Sequence, residues 1–219
     1  MTIALQGNGS ALADSVAVPS HLVRDTIMIH AMNHASTTLP VKPDASWITS
    51  YSASIAGGSV LVAYKHAQSN AETSGTWTNA DHLFVTVWRG GTNTIVVPEF
   101  ISTQTGTSVT IAYPAQTAGT VKTDAANMAL LAYVLNSNTA NTLLAPGATT
   151  DLQSATDSST WQAKQYYQLS RTATWASTNV TQATSAFYRS LMLTLIESDL
   201  YGISSGGIFF RPGMSGGLD

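Results

Sequence analysis

Trp47-Ile48-Thr49-Ser50-Tyr51-Ser52-Ala53-Ser54-Ile55-Ala56-Gly57-Gly58-Ser59-Val60-Leu61-Val62-Ala63-Tyr64-Lys65-His66-Ala67 is the stretch that decides the fold. Its residues change partners at every second position. Trp47, Thr49, Tyr51 and Ala53 oppose Ile48, Ser50 and Ser52, and further on Val60, Val62 and Tyr64 oppose Leu61, Ala63 and Lys65. A period of two belongs to an extended strand, whose successive side chains leave opposite faces, and β-branched and aromatic residues suit its pleated surface. Gly57-Gly58 interrupts the run where the chain has to reverse, since adjacent glycines reach positive φ without a steric penalty. The stretch therefore predicts a β-hairpin.

Working outward, the same signature recurs on both sides. Thr26 to Met32 sets Ile27 and Ile29 against Met28, His30 and Met32, and His82 to Arg89 sets Leu83, Val85 and Val87 against Phe84, Thr86 and Trp88. Gly90-Gly91-Thr92-Asn93 then turns the chain into Thr94 to Val97. Further strands are expected at Ser108 to Ala112, Met128 to Leu135, Trp161 to Leu169 and Ala186 to Ile196. Asp124 to Leu135 is the best helical candidate, but its end is β-like and no segment sustains a 3.6-residue period between caps. Asn136 to Ser159 and Ser170 to Ser185 read as irregular loops. No internal repeat of fixed period occurs.

The expected fold is all-β, a jelly-roll-like β-sandwich of about nine or ten antiparallel strands. It occupies residues 15–201, after an N-terminal arm or edge segment at 1–14 and before a glycine-rich C-terminal arm at 202–219. A chain of 219 residues fits one large sandwich of this kind.

Composition narrows the function. Charged residues make up 10% of the chain against about 25% in an average protein. Polarity comes instead from Ser and Thr, roughly a quarter of the residues. A surface with few charges is weakly protected against association, which suits a protein covered by neighbours. The net charge of -3 with scattered basic residues argues against nucleic acid or an anionic membrane as partner. Absence of Cys excludes a disulfide framework and thiolate metal sites. The first residues lack a basic segment followed by an apolar one, and no run reaches the roughly 18 apolar residues of a membrane helix. A product of the cytoplasm that stays soluble or assembles there is expected.

Catalytic patterns fail on context. Gly213-Met214-Ser215-Gly216-Gly217 satisfies G-x-S-x-G, yet only Leu218 and Asp219 follow, leaving no place for the acid and histidine that come after a nucleophile elbow. His30 and His34 would share a metal on a helix but lie about 13 Å apart along a strand. His21, His66 and His82 complete the histidines, all expected to be partly exposed on strands or loops. Glu72, Glu99, Glu197 and the nine aspartates are scattered, as solvated turn residues are. Trp47, Trp77, Trp88, Trp161 and Trp175, with Tyr166 and Tyr167, are expected to pack the sandwich rather than form a sugar-stacking platform. Neither enzyme activity nor a cofactor is expected.

The C-terminal arm is the candidate interface. Glycines surround Ile208, Phe209, Phe210, Arg211 and Met214, and side chains this apolar need cover from the chain's own sheet or from a neighbouring subunit.

The order of motifs resembles the small sandwich domains of virion and tail-associated proteins of tailed bacteriophages. The resemblance rests on Val18-Pro19-Ser20-His21-Leu22-Val23-Arg24-Asp25-Thr26-Ile27-Met28-Ile29, Pro43-Asp44-Ala45-Ser46-Trp47-Ile48, and Val60-Leu61-Val62-Ala63-Tyr64-Lys65-His66-Ala67. It continues through Gly75-Thr76-Trp77-Thr78, Leu83-Phe84-Val85-Thr86-Val87-Trp88-Arg89-Gly90 and Met192-Leu193-Thr194-Leu195-Ile196. It spans about residues 15 to 198, is more specific in its first half, and departs at Arg24, where the family usually has Gly. The resemblance implies a structural protein of a phage particle, located in the virion, partnered by other virion proteins and by copies of itself. A host-surface or glycan-binding module is the alternative.

Overall fold

The computed structural model describes residues 3–34, 36–55, 58–117, 128–156, 160–169 and 174–199. Among them there are twelve strands and no helix. The first sheet contains β1 (Ala4–Ala11), β2 (Thr26–Asn33), β3 (Ile48–Ile55), β4 (Gly58–His66) and β5 (His82–Arg89) in the order β1-β5-β2-β4-β3. The second contains β6 (Thr94–Tyr113), β8 (Met128–Asn136), β9 (Thr150–Thr156), β10 (Gln162–Leu169) and β12 (Thr178–Asp199) in the order β6-β12-β8-β10-β9. A two-stranded ribbon pairs β7 (Gln116–Thr117) with β11 (Thr174–Trp175). All pairings are antiparallel.

The expected all-β sandwich is therefore present, and its hairpin at 47–67 pairs Ile55 with Gly58 and Ile48 with Tyr64. Its wiring is segregated: β1 to β5 finish one sheet before the chain begins the other. Several strands are longer or additional. Thr94–Val97 and Ser108–Ala112 are two parts of one 20-residue strand, and the last strand begins at Thr178, not Ala186. The stretches expected as irregular contain β9, β11 and the start of β12. Residues 4–11, assigned to an arm or edge segment, form edge strand β1 on β5. The helical alternative ends as strand β8, and Asp124 to Asn127 lie outside the described residues.

The inner faces of the two sheets meet in one core. Met28, Met32, Val60, Val62, Phe84 and Trp88 come from the first sheet, and Leu131, Tyr133, Leu135, Leu191, Leu193 and Leu195 from the second. These are the alternate residues of each strand, so the period of two chooses the inner face.

Alternation also conceals a second feature. The outer face of the first sheet is buried too, because Ile27, Ile29, Leu61, Ala63, Leu83, Val85 and Val87 pack under Val16, Trp47 and Trp77 from the connecting loops. Trp47 and Trp77 meet edge to face at 5.1 Å, and the Trp77 Nε1–H donates to the Ser74 carbonyl at 2.9 Å. Over the second sheet, Leu130, Ala132, Val134, Tyr166 and Met192 lie beneath Leu143, with Ala145 and Trp175 packed against them. A strand covered on both faces reads as continuously buried, as β2, β5 and β8 do.

Candidate interaction surface

The candidate interface residues Ile208, Phe209, Phe210, Arg211 and Met214 lie outside the described residues. Among the described residues, three side-chain clusters and one open side of the sandwich bear on function.

The first cluster fixes one end of the first sheet. Arg89, last residue of β5, donates from Nε and Nη2 to the two Asp25 oxygens at 2.7 Å each, and the Leu22 N–H donates to Oδ2 at 2.8 Å. Asp25 is only 2% exposed, whereas Arg89 is 37% exposed. Three donors therefore compensate one buried carboxylate. The guanidinium is held above its ordinary range by its hydrogen bonds with Asp25, though burial works against this. Nearby, Glu197 of β12 accepts from the Gly91 N–H and, at 2.5 Å, from the Thr94 hydroxyl, closing the turn between the two sheets.

The second cluster lies under the loops of the first sheet. Lys65 donates to Glu72 at 2.7 Å while its ammonium sits 4.8 Å above the Trp47 ring. Its hydrogen bond lowers the Glu72 carboxyl below the ordinary range, more than burial raises it. His21 bridges the same loops, with Nδ1 2.7 Å from the Pro19 carbonyl and Nε2 accepting the Glu72 N–H at 3.1 Å. The Pro19 carbonyl makes Nδ1 the hydrogen-bond donor and the Glu72 N–H makes Nε2 the acceptor.

The third cluster lies between the sheets. His30 is fully buried, its ring meets Tyr133 edge to face at 5.6 Å, and among the described residues neither of its nitrogens has a hydrogen-bond partner. Burial pushes its pKa down to about 3, which keeps the imidazole neutral. Tyr133 contacts the Met32 sulfur through its hydroxyl, and burial pushes that phenol far up. Arg189 enters from β12 and donates to the Ala53 carbonyl of β3 at 3.1 Å, with burial lowering its pKa.

These positions correct two expectations. His21, His30 and His82 are buried rather than partly exposed: His30 shares with Met28 and Met32 the face that becomes the core, His82 lies opposite Met32 in the neighbouring strand, and His21 is enclosed by the loops at Pro19 and Glu72. Asp25 and Glu197 are buried hydrogen-bond acceptors rather than solvated turn residues. The carboxylates of Asp25, Glu72, Asp81 and Asp151 each face a basic side chain, namely Arg89, Lys65, His34 and Lys164. Among the described residues no group of three or more His, Asp or Glu is arranged around a metal position. Trp47, Trp77 and Trp88 are fully buried packing residues.

The open side is where β3 and β6 form neighbouring sheet edges. Ile48, Thr49, Ser50, Tyr51, Tyr64, Pro98, Glu99 and Ile101 line a cleft of about 420 Å³ there. Ile48 is 45% exposed, and the Tyr51 hydroxyl donates to Thr103 across the gap at 3.4 Å. Reading the sequence did not single out this surface. Its signal was the absence of charge from both strands: β3 has none, and β6 has none after Glu99.

Compared with protein-family models, curated proteins and solved structures, the chain matches none.

Proposed function

We propose that the chain is a structural component of a tailed-phage particle, in the tail, connector or fibre or as a capsid decoration, and that it works by protein–protein contact without catalysis or a cofactor. The observation that carries this reading is the contrast between the charges and the open side. Asp25, Glu72, Asp81 and Asp151 are taken up in pairs, while the β3 and β6 edges are uncharged beyond Glu99 and lined with hydroxyls. A catalytic pair would keep carboxylates facing a cleft, whereas an assembly surface needs backbone, hydroxyl and apolar contact. The resemblance of residues 15 to 198 to phage virion sandwiches supplies the class of particle. The protein is then made in the host bacterial cytoplasm, ends in the virion, and binds other virion proteins and its own copies rather than nucleic acid or membrane.

The test is mass spectrometry and immunogold labelling of purified particles carrying either the natural chain or F209D/F210D. The natural chain is expected in stoichiometric amount and the variant is expected to be lost from particles. Absence of the natural chain from particles refutes the reading, and normal incorporation of the variant removes the arm from it.

One observation favours the alternative, a glycan-binding module: the open cleft presents the rings of Tyr51 and Tyr64 beside Thr49, Ser50 and Glu99, the mixture of stacking and hydrogen-bonding groups that sugars require. Saturable binding to host cells, weakened by Y51A or Y64A, would establish it; no binding by the folded protein would reject it.

A further inference from the structure

We propose that the outer edge of β6 over residues 101–110 is where a second copy of this chain adds its own β6, antiparallel, joining two second sheets into one. The proposal does not depend on the particle reading, because self-association is measured on the isolated chain.

Among the described residues the two large sheets have four edge strands, and they are protected unequally. β1 and β9 lie against each other: the Asn8 Nδ2–H donates to the Leu152 carbonyl and to Gln153 Oε1 at 3.3 Å each, and the Gln153 side chain reaches the Val85 carbonyl at 3.2 Å. β9 also carries Asp151, paired with Lys164 at 2.7 Å. On the other side, β3 is eight residues long and β6 is twenty, so β3 cannot cover β6.

The first part of β6 is protected. Ile95 and Val96 are buried, the Thr26 hydroxyl donates to the Val96 carbonyl, and Pro98 has no N–H to offer. The extra residue that β6 inserts against β12 falls at Glu99, between the pairs Thr194–Phe100 and Leu195–Pro98. Every one of these devices ends before residue 101. From Ile101 to Thr110 there is no charge and no proline, and the register shift near Ser108 places its extra residues on β12. Gln104, Thr105, Thr107 and Val109 are exposed, Val109 by 47%. Among the described residues no strand pairs with this edge. Proteins blunt such edges with Lys, Pro, bulges or shortness, because an unpaired row of N–H and C=O groups is a template for another strand.

The occupant follows from what the edge demands. It needs an extended, uncharged segment of about ten residues, some 33 Å long, with backbone groups of its own left open. β6 of another copy meets each demand. Antiparallel pairing about a two-fold axis uses every contact twice, which is how isologous dimers close. The run Ser102-Thr103-Gln104-Thr105-Gly106-Thr107-Ser108 also places hydroxyls opposite hydroxyls, a favourable cross-strand combination.

The experiment is sedimentation of the full chain over a hundred-fold range of concentration, beside T105K/T107K, T105E/T107E and an equal mixture of the two. The natural chain is expected to dimerise. Each like-charged variant, folded by circular dichroism and urea unfolding, is expected to lose at least tenfold in association constant, and the mixture to regain it as a heterodimer. Hydrogen exchange supplies a reading free of mutation: the amides of 101–110 should become more protected as concentration rises. A natural chain that remains monomeric, a Lys variant that dimerises as the natural chain does, or a mixture that stays monomeric overturns the proposal.

Discussion

The neutral imidazole of His30 makes stability depend on pH in a way that can be worked out beforehand. Its folded pKa is about 3, against about 6.5 in the unfolded chain. The unfolded state therefore binds a proton between these values that the folded state refuses, and stability falls as pH falls through that window. The contribution is intact above the unfolded value and fully lost below the folded one. Between about pH 7.5 and about pH 5 the linkage relation assigns His30 a loss of about 2 kcal/mol. His66, pushed down to about 4 by burial, acts in the same direction but is partly exposed, so solvent reduces its share. The carboxylate lowered by pairing, Glu72, titrates below this range and does not imitate the effect. The perturbation is His30→Phe, which keeps an aromatic ring against Tyr133 and removes the titrating group. Urea unfolding at both pH values is the assay, and the quantity read is the change in stability between them. The variant is expected to lose about 2 kcal/mol less than the natural protein on acidification, whatever its stability at neutral pH. Parallel pH profiles for the two proteins would refute the reasoning, because they would mean that His30 protonates as readily folded as unfolded.

Other substitutions test the rest of the framework. Arg89→Met should cost about 3 to 5 kcal/mol in urea unfolding, and Asp25→Asn less, because the first strands a carboxylate 2% exposed while the second releases a guanidinium 37% exposed; equal losses would contradict that asymmetry. Gly75→Ala should destabilise by about 1 to 3 kcal/mol, since Gly75 has φ of 67° and an added Cβ would lie 2.7 Å from Pro43; a stability unchanged in calorimetry would show that the loop moves aside. Glu197→Ala removes the acceptor of the Gly91 N–H and Thr94 hydroxyl and should cost about 1 to 3 kcal/mol, with faster hydrogen exchange confined to the 90–94 turn.

Particular residues show what was legible in advance. The alternation in β2, β4 and β5 located these strands to within a residue, because each inner face demands apolar side chains in register. β1 was legible only as an arm or edge segment, because Gly7 and Gly9 dilute its pattern; an added Cβ at Gly7 would come within 2.7 Å of Pro19, so glycine is required by a passing loop and not by a turn. β9, Thr-Asp-Leu-Gln-Ser-Ala-Thr, is a polar edge strand and looks like a loop for that reason. The burial of His30 follows from its place on the strand face of Met28 and Met32, whereas that of Asp25 could not be read from its neighbours in sequence, since Arg89, which encloses it, lies 64 positions away on another strand. The β6 edge was hidden by its own regularity. Two short strands were expected where one long one runs, and only its continuity makes an edge of that length.

The division of the chain into a first half that completes one sheet and a second half that completes the other has a consequence for synthesis. When Arg89 leaves the ribosome, the first sheet has all five of its strands, and the loops that cover its outer face have been made. Its inner face, with Met28, Met32, Val60, Phe84 and Trp88, has no partner until the second sheet arrives. Translation at about 5 to 20 residues per second makes that wait last on the order of 5 to 20 seconds. During this interval the nascent chain is a half-sandwich with a sticky face, and the crowded ribosomes of one message hold many such faces close together. Holding the first sheet apart from its siblings until residue 199 has emerged is then a task for chaperones, and the protein's yield should depend on them more than its final stability does.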